Sequence, residues 1–99
     1  MRFEWGFKKE HVNIKKHGLT FEEAREALTC GTVVVLRKDN DHNEPRFAFL
    51  GMCKRHNVLV VVVAYSEETV TRIISAKKAT KSERKFYEAQ LWFQERGFA

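Results

Sequence analysis

Proline occurs once and cysteine twice in this chain of 99 residues. The single proline sits in the loop DNDHNEP, and no internal repeat, low-complexity tract or linker appears anywhere, so nothing divides the chain. Cys30 and Cys53 could close at most one disulfide. The start MRFEWGFKK lacks the long apolar segment of an export signal, so two reduced thiols in a cytoplasmic protein are expected. Long hydrophobic runs are missing too. The longest, Val58 to Tyr65, has 8 residues, whereas a helical membrane span needs about 20; no membrane role is expected. No G-x-x-x-x-G-K, G-x-G-x-x-G or G-x-S-x-G stretch occurs, which removes the simple nucleotide-binding and hydrolase signatures. His42, Cys53 and His56 show neither C-x-x-C nor H-x-x-x-H spacing, so no metal and no other cofactor is expected.

What remains is a foldable, basic chain. Apolar residues make up 43% and aromatic residues 12%, enough to bury one core, and the length suits a single domain over residues 1–99. Eighteen Lys and Arg against thirteen Asp and Glu give a formal charge of +5, which favours a polyanionic partner or an acidic protein.

The hydrophobic pattern predicts an α+β domain. Arg2 to Trp5 reads as a short opening strand. A helix follows from about Phe7 to His17, closed by Gly18 in the left-handed position that glycine favours after helices. Its apolar positions are Phe7, Val12 and Ile14, and Lys8, Lys9, Lys15 and Lys16 surround them, which predicts a basic exposed side. In a second helix Thr20 is the N-cap and Glu23 its capping-box partner, with Phe21, Ala24, Ala27 and Leu28 on one face. From Thr32 the period changes to two. TVVVLRK, RFAFLGM, VLVVVVAY and VTRIISAK form four strands joined by short connections, hence an antiparallel meander. Thr80 and Glu83 repeat the capping box before a last helix ending near Gly97, where Phe86, Ala89 and Phe93 recur at helical spacing. Trp5, Trp92, Phe47 and Phe49 are read as core.

Two basic clusters could carry chemistry. In a regular strand Arg72, Ile74, Ala76 and Lys78 share one face and Thr71, Ile73, Ser75 and Lys77 the other. Arg72 then needs an acceptor, since a desolvated, unpaired guanidinium is costly. That acceptor is either a carboxylate of Glu67, Glu68 or the last helix, or a phosphate held bidentately. A phosphate would also suit the helix N-terminus at Thr80 and the nearby Lys81. In the first helix Lys9, Asn13 and Lys16 lie four and three residues apart, on one side, with His17 at the end. They form either a solvated basic face or an RNA-binding ridge with an imidazole, the side chain suited to proton transfer near neutral pH.

FEW near the start, NIKKHGLTFEEA, EPRFAFLG, LVVVVAY and RIISAKKAT followed by KSERKFYE, in this order and spacing, resemble the BrnT toxin family, from Phe3 to about Glu88. The resemblance implies a compact RelE-like fold and RNA cleavage that arrests translation. It also implies inhibition by a BrnA-like antitoxin with a ribbon-helix-helix DNA-binding segment, in a 2:2 heterotetramer that reaches operator DNA only through the antitoxin. The family pattern falls on Lys9, Asn13, His17, Glu44, Arg46, Arg72, Lys77 and Lys78. Two positions depart from it. The family commonly has Asp where this chain has Gly6, and Arg where it has Lys77; the first loosens a helix cap and the second replaces a planar donor with a point charge.

Metal-independent cleavage of RNA needs a base for the ribose 2′-hydroxyl and cations for the developing phosphorane charge. The expected catalytic set is Arg46 and Arg72 on the phosphate, Lys77 stabilising charge, and His17 or Glu67 as base. Lys9, Asn13, Lys16, Lys78 and Lys81 are expected to bind the RNA. The rival readings are a non-catalytic nucleic-acid-binding module and a protein-interaction domain whose basic face meets an acidic partner.

Overall fold

A computed structural model describes residues 2–40, 43–67 and 69–96, the side chains of 66 and 67 excepted. His42, Glu68, the side chain of Glu67 and the expected helix end near Gly97 thus lie outside the described residues. The elements run β1 (Arg2–Glu4), α1 (Phe7–His17), α2 (Phe21–Thr29), β2 (Val34–Asp39), β3 (Arg46–Cys53), β4 (Asn57–Glu67), β5 (Val70–Lys78) and α3 (Lys81–Arg96). Among the described residues they build a five-stranded sheet in the order β1-β5-β4-β3-β2. β2 to β5 form the expected antiparallel meander. The short β1 extends it by pairing parallel to the first residues of β5, Arg2 opposite Val70 and Glu4 opposite Arg72.

α2 covers one face of the sheet. Phe21, Ala24 and Ala27 are buried against Leu59, Val61, Val63, Ile73 and Ala76, with Phe47, Phe49 and Trp5 packed at the margin. The approach is close enough that a Cβ at Gly51 would collide with the carbonyl oxygen of Ala27. The start of α2 is fixed twice over. Thr20 and Glu23 form the capping box, and Glu10 of α1 accepts a bond from the Phe21 amide at 2.9 Å; both satisfy amide donors that have no partner within the helix. Glu23 also meets His56 at 2.8 Å, and Glu26 accepts from the Lys54 amide at 2.7 Å, so α2 is tied to the β3–β4 turn. The Thr20 amide holds the Glu23 carboxyl below its ordinary range, with the Thr20 hydroxyl and His56 adding to that against the opposing effect of burial.

α3 lies on the opposite face, where Tyr87 is buried with Val34, Leu50, Val58 and Val60, and Leu91 packs beside it. Tyr87 and Leu91, four residues apart, are the residues that meet the sheet, and the Tyr87 hydroxyl donates to the Thr32 carbonyl at 2.9 Å. Phe86, Trp92 and Phe93 are exposed instead. The spacing of Phe86, Ala89 and Phe93 is helical, but that stripe is turned from the core, and Trp92 is not a core residue. The Thr80–Glu83 capping box forms as expected.

α1 departs furthest from its pattern. Its buried residue is Asn13, whereas Phe7, Val12 and Ile14 are exposed, Phe7 at 87%. The cause lies in the sheet edge. β1 pairs with β5 only as far as Arg72, so the rest of β5 has amides without a neighbouring strand. Asn13 supplies the partner: its Oδ1 accepts from the Ala76 amide at 3.0 Å and its Nδ2 donates to the Leu19 carbonyl at 3.0 Å. A helix docked through an amide side chain turns its apolar residues outward. Gly18 closes α1 at φ 70, its amide bonded to the Ile14 carbonyl, while Gly6 begins it without a side-chain cap.

A cationic sheet face as the candidate active site

β5 is not regular, and that irregularity assembles the site. Val62 pairs with Ser75 but Val63 pairs with Ile73, which leaves Ile74 as an extra residue bulged out of the ladder. Every side chain on the far side of the bulge changes face relative to a regular strand. Arg72 therefore shares a face with Ser75 and Lys77, while Ile73, Ala76 and Lys78 share the other, in correction of the alternation expected from the sequence.

The register then carries cations across the sheet on the face that α3 partly covers. Arg72 of β5 and Arg46 of β3 both pair with Ala64 of β4, so their Cα atoms stand about 10 Å apart, two strand spacings. The small Ala64 between them leaves both long side chains able to converge on one group. Glu4 and Asp39 end this row on β1 and β2. The next row runs Ser75, Val62, Ala48 and Arg37, and the following one begins with Lys77 opposite Val60. Partial burial pushes the Glu83 carboxyl up, but the Thr80 amide and hydroxyl with Lys77 and Arg37 outweigh it and hold it low; Lys77 and Arg37 thus sit close to the start of α3.

The two arginines differ in their surroundings. The Arg46 Nε is buried and makes no hydrogen bond among the described residues, a donor with unused capacity in a position where that is costly. Arg72 is matched by carboxylates: its guanidinium meets Glu44 at 3.2 and 3.5 Å and Glu4 at 3.5 Å. The side chain keeps 38% exposure, and ion pairs that open to water are worth little, so an incoming phosphate can displace them.

α1 supplies a flank. A groove of about 340 Å³ runs between it and β5, lined by Lys9, Asn13, Lys16, His17, Ile74 and Ser75 among others. Ser75 belongs to both the groove and the cationic face, so the two adjoin. Of the residues expected from the sequence, the structure gathers Arg46, Arg72 and Lys77 on one face and Lys9, Lys16 and His17 beside it. Asn13 lies at the groove but is buried, with its amide committed to Leu19 and Ala76, which corrects its expected place on an exposed ridge. Lys78 is out of register with Arg72 and Lys77, paired with Leu59, and lines a separate hollow of about 250 Å³ at the end of the strand with Arg55 and with Arg84 of α3. Lys81 is exposed at the start of α3. Sequence reasoning missed Ser75 and Arg37, and among the described residues the carboxylates on Arg72 are Glu4 and Glu44, which it did not name as partners. Glu4 and Glu44 could have been found only by knowing the β1–β5 pairing and the path of the loop before β3. Among the described residues no group of three His, Cys, Asp or Glu side chains could hold a metal ion, and no helix is long and apolar enough to cross a membrane.

Comparison with known proteins places this architecture. The crystal structure of the Brucella abortus ribonuclease toxin, BrnT, superposes with a TM-score of 0.63 over 82% of this chain and 99% of that one, at 23% sequence identity; likeness at that identity speaks to the fold. No curated protein matches the chain. Residues 5–83 match the family model described as the ribonuclease toxin, BrnT, of type II toxin-antitoxin systems. That match takes in β2 to β5 whole and stops in the first turn of α3, so the chain belongs to the BrnT family of ribonuclease toxins.

Proposed function

We propose that the chain, acting as one domain, is an endoribonuclease that cleaves RNA without a metal ion, at the face carrying Arg46, Arg72 and Lys77. The observation that supports this most is the register that sets Arg46 and Arg72 on either side of Ala64, with the Arg46 Nε unpartnered among the described residues. Two guanidiniums so placed can hold one phosphodiester between them. The phosphate takes the place of Glu44 on Arg72 and meets the guanidinium of Arg46. Lys77 then stabilises the charge that builds on the non-bridging oxygens as the 2′-oxygen attacks, and Ser75 is placed to donate a further hydrogen bond.

His17 is the base in this reading, since it lines the groove that joins the face at Ser75. Its imidazole takes the proton from the 2′-hydroxyl, the 2′-oxygen bonds to phosphorus, and the 5′-oxygen leaves with a proton from water or from the imidazolium. Glu67 is the other candidate base. Lys9 and Lys16 guide the strand along the groove, and Lys78 and Lys81 contact it beyond. Membership of the family implies an antitoxin partner. In our reading this is a BrnA-like ribbon-helix-helix protein that forms a 2:2 complex in the cytoplasm and carries the toxin to operator DNA.

The test is cleavage of purified RNA with and without EDTA by wild type and by Arg72→Ala. Cleavage that survives EDTA in wild type, and falls at least 100-fold in a folded Arg72→Ala variant, is expected, because loss of one charge-stabilising donor costs about that much. The pairing of Arg72 with Glu4 and Glu44 favours a second reading, in which Arg72 is a structural ion-pair partner and the face only binds nucleic acid. RNA that binds to wild type and stays intact would establish that second reading.

A further inference from the structure

α1 is an amphipathic helix mounted with its apolar residues outward. Phe7 and Ile14, seven residues apart and so on one side, are 87% and 42% exposed, and Val12 is 51% exposed. His11 lies between Phe7 and Ile14 on the same side, and these residues line a shallow hollow of about 620 Å³. A phenylalanine left almost wholly in water on a rigid helix costs stability with no return inside the molecule. Lys8 and Lys15 border the stripe, Lys9 and Lys16 follow on the next side, and the one acid of the helix, Glu10, is bonded to the Phe21 amide. Glu10 itself lines the hollow on the side away from Lys8 and Lys15, so the frame is positive along the lysine flank. α3 exposes Phe86, Trp92 and Phe93, but Lys85, Glu88, Glu95 and Arg96 around them carry both signs, so that surface selects no charge in a partner.

We infer that the outer face of α1 is the docking site for the antitoxin, through an acidic amphipathic helix whose apolar residues cover Phe7 and Ile14 and whose carboxylates meet Lys8 and Lys15. This rests on the toxin reading given above and adds where and by what chemistry the partner binds. Charge complementarity names the partner: an apolar stripe with lysines along one flank is matched by leucines or aromatics with Asp and Glu along the facing flank. The position also accounts for inhibition. The hollow and the α1–β5 groove share Lys8 and Val12, so a helix seated on Phe7 and Ile14 lies beside the entrance to the groove holding Lys9, Lys16 and His17, and a few further residues close it.

The experiment uses the full chain and the protein encoded by the adjacent gene, with binding and inhibition of RNA cleavage measured for wild type, Phe7→Ser/Ile14→Ser and Lys8→Glu/Lys15→Glu. Phe7 and Ile14 are exposed and line neither the catalytic face nor the groove, so folding and unopposed cleavage of the serine pair should match wild type. Lys8 also lines the groove, so the glutamate pair is read by its association with the antitoxin and not by cleavage. The serine pair should bind the antitoxin about 100-fold or more weakly, as expected for loss of an aromatic anchor, and should go on cleaving RNA in its presence. The glutamate pair should associate more slowly and lose the salt dependence of the association rate. If wild type cleaves RNA and is silenced while the serine pair is silenced equally well, docking lies elsewhere and the inference is overturned with the toxin reading intact. If wild type neither cleaves RNA nor binds the neighbouring protein, the toxin reading itself fails and the inference falls with it.

Discussion

Replacing Asn13 with alanine separates structure from function at the residue where the two readings differ most. The side chain is 4% exposed and bonds two backbone groups from different parts of the chain, the Ala76 amide of β5 and the Leu19 carbonyl between α1 and α2. Alanine leaves both without a partner. A buried backbone donor or acceptor stripped of its hydrogen bond costs about 1–3 kcal/mol, so the pair gives a loss of roughly 2–4 kcal/mol, allowing for some entry of water at the groove. In a chain of 99 residues that lowers the melting temperature by about 10–25 °C. Asn13→Asp keeps the acceptor for Ala76 but turns a carboxylate toward the Leu19 carbonyl, and should cost at least as much at neutral pH. Urea unfolding followed by circular dichroism measures the loss, and hydrogen exchange at the Ala76 amide locates it. A change below about 0.5 kcal/mol, the range of ordinary surface substitutions, would refute the latch. If RNA binding fell while stability held, Asn13 would belong on the RNA-facing ridge that its spacing with Lys9 and Lys16 suggests.

Gly51→Ala should destabilise by about 2 kcal/mol or more, because its Cβ meets backbone of α2 that has no flexible end to move; chemical denaturation checks it, and a neutral result would mean that α2 packs less closely on β3. The Glu23 carboxyl titrates below its ordinary value of 4.5 and so stabilises the fold above that value, the contribution being lost as pH falls through the folded pKa. Glu23→Gln should therefore lower stability at neutral pH and flatten the fall as pH drops below the ordinary value of 4.5, in thermal melts against pH; parallel curves would remove Glu23 from the acid transition. Lys9→Ala/Lys16→Ala should reduce the slope of log binding constant against log salt for single-stranded RNA by about 1.4, at about 0.7 for each phosphate that is no longer neutralised. An unchanged slope would place the RNA path away from the groove.

The local structure was legible because its causes are local. Thr20 with Glu23 and Thr80 with Glu83 are three residues apart, Gly18 supplies its own left-handed turn, and the unbroken apolar run of β4 needs no distant partner. The capping boxes and the meander follow from the sequence for that reason. Its charge also pointed to a polyanion, Arg72 and Lys77 stood out in their strand, and Arg46 was reached through the family resemblance. Which cations meet was decided by tertiary structure. The bulge at Ile74 arises from pairing with β4, and one extra residue moved Lys77 to the face of Arg72 and Lys78 away from it. Asn13 looked like part of a polar ridge because helical spacing says nothing of what lies beyond the helix; the unpaired edge of β5 after Arg72 drew it inward and turned Phe7 out. Periodicity fixes which residues share a face of an element, and only the packing of that element against its neighbours fixes where the face points.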